Sequence, residues 1–166
     1  MAKQIVTSPK ITPFLWFDKQ ALEAAKFYTS IFKNSRIEGE MDYGEVGPGE
    51  QGTVMSVTFW LDGVKFIALN GGPEPGFTFS PAISFFVNCE TQAEVDELWS
   101  KLSAGGETNQ CGWLRDKFGV TWQIVPTVLG ELLGDDDEEK SQRVMQAMLK
   151  MTKLDIATLE QAYERV

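Results

Sequence analysis

The side chains with chemical potential in this sequence are two cysteines, one charged turn, one acidic run and a pair of amides on apolar stretches. Cys111 precedes Gly112, Arg115 and Asp116, an order that would suit a nucleophile with charged groups at the mouth of a cavity. The chain has no histidine, so Ser-His-Asp and Cys-His triads are excluded, and no base lies near Cys111 in sequence. Two cysteines, Cys89 and Cys111, are too few and too far apart for a disulfide framework or a structural zinc site. Two reduced, inert thiols are the expectation, and no catalytic residue is assigned.

The run Asp135-Asp136-Asp137-Glu138-Glu139 lacks the alternating spacing and central glycine of a calcium loop. It reads as the solvated start of a helix, where carboxylates favour the dipole. The glycine-rich stretches 44–52 and 71–76 do not sit between a strand and a helix, the arrangement that cofactor-binding glycine turns require. They read as hairpin or rim loops, and no cofactor is expected.

The elements that would position these groups follow from hydrophobic period. Residues 11–17 (ITPFLWF) form a short apolar strand, and 20–32 carry Ala21, Ala25, Tyr28 and Phe32 on one helical face, with Asn34 as the stop. Strands are predicted at 36–41, 53–61 and 64–69, the last two joined by the hairpin dipeptide Asp62-Gly63. The pattern then restarts. A strand at 82–87 precedes a helix at 91–102, with Thr91 as N-cap and Glu94 completing a capping box. Val95, Leu98 and Leu102 repeat Ala25, Tyr28 and Phe32 at an offset of 70 positions, and Trp113-Leu114 with 119–125 repeats Trp60-Leu61 with 63–69. The prediction is an α+β domain over residues 1–126, made of two β-α-β-β-β modules at about 11–70 and 82–126. A helical extension follows over 127–166, with Asp155 capping its last helix and Met145, Met148 and Met151 on its apolar faces.

Four segments, 11–32, 68–73, 83–89 and especially 111–126 (CGWLRDKFGVTWQIVP), resemble the PhnB-like branch of the glyoxalase/bleomycin-resistance/dioxygenase superfamily, whose family label is 3-demethylubiquinone-9 3-methyltransferase. The resemblance implies the vicinal-oxygen-chelate fold, two modules whose mixed sheets curl into a cup. It also implies four metal-ligand positions, at the first and last strand of each module, which match Thr12, Ala68, Ala82 and Gln123. Only Gln123 is a credible ligand, so no metal is expected.

With Gln123 and Ala82 pointing inward, strand alternation places Phe14, Trp16, Phe66, Asn70, Ser84, Phe86 and Thr121 in the cup as well. Leu15, Phe17, Ile67, Leu69, Ile83, Phe85, Val87, Trp122 and Ile124 would then lie under the helices. Aromatics interleaved with Asn, Ser, Thr and Gln suit a pocket for a small, partly aromatic organic molecule. Filling of the cup by its own aromatics is the structural alternative. The functional expectation is a metal-free small-molecule binding protein. An enzyme of the lyase, dioxygenase or methyltransferase kind and an assembly module with a filled cavity are the alternatives.

A net charge of -9 and a pI near 4.5 disfavour nucleic acid and anionic membrane surfaces as partners. The start of the chain, Met1 to Pro9, has no apolar leader core, and no stretch reaches membrane-spanning length, so a cytoplasmic protein is expected. A homodimer is expected because related modules complete barrels across symmetric interfaces.

Overall fold

A computed structural model of the chain describes residues 9–165, so the start of the chain, from which the absence of a leader was read, lies mostly outside it. The described residues fall into two compact units, residues up to Phe77 and from Thr78 onward. The first unit runs β1 (Phe14–Phe17), α1 (Ala21–Ile31), β2 (Arg36–Asp42), β3 (Val54–Leu61) and β4 (Val64–Asn70). Its sheet has the order β1-β4-β3-β2, with β1 parallel to β4 and the other pairs antiparallel. This is the predicted β-α-β-β-β unit. The β3–β4 turn places Asp62 and Gly63 at φ 44 and 83, the positive values that a twist-matched two-residue hairpin demands.

The second unit repeats the topology with β5 (Phe85–Cys89), α2 (Gln92–Ser103), β6 (Glu107–Thr108), β7 (Trp113–Arg115) and β8 (Thr121–Pro126), in the order β5-β8-β7-β6. Three helices follow: α3 (Thr127–Leu133), α4 (Glu138–Met148) and α5 (Ile156–Glu164). The short strand β6 and the helix α3 escaped the sequence reading, and β5 begins later than predicted. Thr91 caps α2 as expected, its hydroxyl accepting from the Glu94 N–H, but the Glu94 carboxylate takes the Glu90 N–H rather than that of Thr91. Asp137 and Asp155 cap α4 and α5. The acidic run therefore satisfies a helix start, as its sequence suggested.

The helices α1 and α2 each pack their apolar face on one side of their own unit's sheet. In the first unit Tyr28 is fully buried against Phe59, with ring centroids 6.2 Å apart, and Phe59 stacks on Phe66 at 5.4 Å. Burial of side chains of this size stabilises by roughly 1.5–3 kcal/mol each. In the second unit Val95, Leu98 and Leu102 cover Trp122 and Ile124, and Val125, Leu129, Val144, Leu154 and Leu159 form a separate apolar cluster under the C-terminal helices. Among the described residues no helix is long and apolar enough to cross a membrane.

Candidate functional site

Strand register assigns every side chain to the helix-covered or the open face of its sheet. In the second unit Phe86 pairs with Gln123, Trp113 with Gln123 and Arg115 with Thr121, so these five share the open face. Phe86 is 54% exposed, whereas its neighbours Phe85 and Val87 lie on the helix side with Trp122 and Ile124. The predicted row Ser84, Phe86, Thr121 and Gln123 is thus brought together, and the Gln123 amide nitrogen donates to the Ser84 hydroxyl at 2.8 Å. Ile83, expected beneath the helix, precedes β5 and is exposed.

The first unit departs from expectation by one residue. Phe14 pairs with Ile67, Leu15 with Ala68, Trp16 with Leu69 and Phe17 with Asn70. Phe14 and Trp16 occupy the open face as predicted, with Phe14 55% exposed. Phe66, Ala68 and Asn70 do not. They share the helix-covered face with Leu15, Phe17, Val57 and Phe59, while Ile67 and Leu69 take the open face. Phe66 is a core residue stacked on Phe59.

Asn70 is a bracket within the fold. Its Oδ1 accepts the Ala21 N–H at the start of α1 (2.8 Å), its Nδ2 donates to the Val54 carbonyl (3.0 Å), and its own carbonyl accepts the Tyr43 hydroxyl (2.5 Å). Trp16 is also tied, its indole N–H donating to the Gly72 carbonyl at 3.0 Å and its ring meeting Phe77 edge-on at 5.0 Å.

The same register relocates the positions that the resemblance assigned to metal ligands. Phe14 opposite Ile67 corresponds to Phe86 opposite Gln123, so Ile67, not Ala68, is the counterpart of Gln123, and Ser84, not Ala82, is that of Thr12. The set becomes Thr12, Ile67, Ser84 and Gln123, which includes no carboxylate, imidazole or thiolate. Gln123 and Ser84 already bond each other. These residues do not fit a divalent ion. Among the described residues there is also no cluster of three or more His, Cys, Asp or Glu side chains suited to one.

Asp116 and Cys111 are both tied into the fold by hydrogen bonds. The buried Asp116 carboxylate accepts the Phe118 and Val120 N–H groups at 2.8 and 3.0 Å and the Trp122 indole N–H at 2.8 Å. Cys111, at φ 58, directs its thiol to the Met148 carbonyl at 3.6 Å, and its N–H bonds the Met151 carbonyl. Burial, followed by the nearby Glu94 carboxylate, pushes the Cys89 thiol up to about 12, which makes it a poor nucleophile. Neither glycine-rich stretch opens a helix, the first leading into β3 and the second towards β5.

Two features of the open faces were underweighted in the sequence. Trp60 pairs with Lys65 and Arg36, with the Arg36 guanidinium 5.0 Å from the ring centroid. Its indole N–H donates to Glu38, a bond that, with Lys65 and Arg36 nearby, lowers the Glu38 pKa. Trp113 and Arg115 hold the equivalent strand in the second unit, beside a cleft of about 250 Å³ that Pro81, Glu107, Trp113 and Thr121 help to line. A larger cleft of about 560 Å³ in the first unit lies among loop residues, including Lys19, Tyr43, Glu50 and Gly72.

Residues 9–125 match the model of the 3-demethylubiquinone-9 3-methyltransferase family. The chain belongs to this family. A PhnB protein from Bacillus cereus given the same description is 41% identical over 72% of this chain and 100% of its own length, with a TM-score of 0.66. Protein PA1353 from Pseudomonas aeruginosa, 21% identical over 72% of this chain and 98% of that one at a TM-score of 0.61, shares the fold. So does the fosfomycin resistance protein FosX from Listeria monocytogenes, 14% identical over 76% of this chain and 98% of that one at 0.51. No curated protein matches the chain. The glyoxalase-like fold and the PhnB-like assignment read from the sequence are thereby established, whereas membership alone assigns no reaction to the family's modules in this chain.

Proposed function

We propose that this family member is metal-independent and binds a small, partly aromatic organic molecule on the open face of its second unit's sheet. The carrying observation is the Gln123–Ser84 hydrogen bond beside the half-exposed Phe86 ring. Two positions that would hold a metal in a catalytic relative instead form a small polar pair on an apolar wall, the usual composition of a ligand pocket. In the second unit Ser84, Phe86, Thr121 and Gln123 remain the binding set; Phe14 and Trp16 hold the open face of the first unit, while Phe66 and Asn70 leave the set because they serve its helix-covered face.

The proposal includes a two-module domain over 1–126 with a helical extension, and a homodimer of the symmetric kind by which related modules complete barrels. It also places the protein in the cytoplasm, where two free cysteines stay reduced. Screening of aromatic metabolites by thermal shift, with metal analysis of the purified chain, tests the reading. A ligand that raises Tm equally with and without chelator is expected. Stoichiometric bound metal whose removal abolishes binding would overturn it, and light scattering at monomer mass would overturn the dimer.

A further inference from the structure

We infer that the ligand of the second unit's open face is a single-ring aromatic anion, its ring set against Trp113 and its charge taken by Arg115. This rests on the small-molecule reading above and names the class of molecule. The cleft there, about 250 Å³, is at the small end of ligand pockets and suits about one ring with one substituent. Arg115 is the cation of its lining and stands in register with Thr121 on the same face as Trp113.

Arg115 Nη2 is held by Glu107 Oε2 at 2.7 Å, with the two side chains 51% and 71% exposed. An ion pair so open to water contributes little, so its exchange for a ligand carboxylate has a low barrier. The planar guanidinium also matches a carboxylate bidentately. Glu107, on the edge strand β6, stands opposite Arg115 in the ladder and lines the same cleft, where it acts as a placeholder that holds the guanidinium in position.

The first unit offers a contrast on its own open face, where Trp60 stands opposite Lys65 at the register position that Arg115 takes opposite Thr121. There the Trp60 indole N–H is taken by Glu38, and Glu38 also pairs with Lys65 at 3.4 Å, so indole, acid and cation satisfy one another. Trp113 makes no such bond among the described residues, and its indole N–H is left for a guest. The second unit thus keeps both a donor and an exchangeable cation beside one ring-sized cleft.

Fluorine NMR on the full chain with 4-fluorobenzoate, 4-fluorobenzamide and 4-fluorobenzylamine tests the inference. Benzoate is expected to bind best, Arg115→Met to weaken it by about tenfold, one charge-assisted hydrogen-bonded contact, and Glu107→Gln to tighten it by removing the competitor. The benzamide is expected to respond to neither substitution, and unchanged thermal melts show that both variants fold. Equal binding of benzoate and benzamide, preference for the benzylamine, or benzoate affinity indifferent to both substitutions overturns the anion assignment while leaving small-molecule binding intact. Failure of all three rings to bind also overturns this inference, and the thermal-shift screen of aromatic metabolites then decides the small-molecule reading separately.

Discussion

Replacing Asp116 separates a structural reading of this turn from a chemical one. Its carboxylate accepts the backbone N–H groups of Phe118 and Val120 and the indole N–H of Trp122, and the residue is 3% exposed. In Asp116→Ala these donors lose their partner in a site with almost no access to water. Each buried donor left unpaired costs about 1–3 kcal/mol, and relaxation that lets water reach part of the turn reduces the total, so we expect a loss of about 3–5 kcal/mol. Asp116→Asn keeps one acceptor oxygen and should lose roughly half as much. Urea unfolding followed by tryptophan fluorescence reports both, because Trp122 is itself one of the donors. Conversely, 4-fluorobenzoate affinity measured well below the unfolding midpoint should change less than twofold, since the carboxylate faces the turn and the helix-side indole. Wild-type stability in Asp116→Ala together with abolished ligand binding would refute this reasoning and return Asp116 to the mouth of the site.

Asn70→Leu should lower Tm by several degrees, because an isosteric apolar side chain leaves the Ala21 N–H and the Val54 carbonyl without partners, at about 2–3 kcal/mol, while Asn70→Asp retains the bond to Ala21 and loses less. Gly71→Ala should also destabilise, since an added Cβ would fall 2.2 Å from the Trp16 ring and must displace it; loss of the Trp16–Phe77 contact in NMR spectra checks the mechanism. Cys89 should resist thiol reagents at pH 8 until the protein unfolds. Its folded pKa of about 12 lies above its ordinary value near 9.0, so the neutral thiol is common to both states below pH 9, and above it the unfolded state ionises first. Stability should therefore fall as pH rises from about 9 towards 12, with Cys89→Ser removing that part of the slope. The Tyr163 hydroxyl holds the Asp135 carboxyl below its ordinary pKa, so their bond favours folding at neutral pH and is lost as pH falls through the folded pKa; Tyr163→Phe should raise that pKa in an NMR titration.

Why one module was legible in the sequence and the other was misread by a residue follows from the composition of β4. In β8 the alternation is uneven, with Trp122 and Ile124 on one side and Thr121 and Gln123 on the other, so only one phase buries the apolar set. The run from Val64 to Asn70 contains Phe66, Ile67, Ala68 and Leu69 in succession, and both phases present apolar side chains to a helix. The periodicity of side chains along β4 therefore carries almost no information about its facing. That information lies in what α1 brings to the interface: Ala21, Ala24 and Ala25 are small and let the helix approach closely, and Tyr28 needs a flat ring beneath it, which Phe59 supplies and Phe66 extends. Asn70 was misplaced for the same reason. An amide on an apolar strand must find partners, and at a strand end beside a helix start the nearest orphan groups are backbone ones. The corrected register also bears on the metal question. The one-residue change of facing that replaces Ala68 by Ile67 in the first module, and the later start of β5 that replaces Ala82 by Ser84 in the second, alter two of the four positions, yet the set still contains no side chain that carries charge. The mismatch with a divalent ion is thus a property of the residues over either register, which is why it was visible before the strands were correctly aligned.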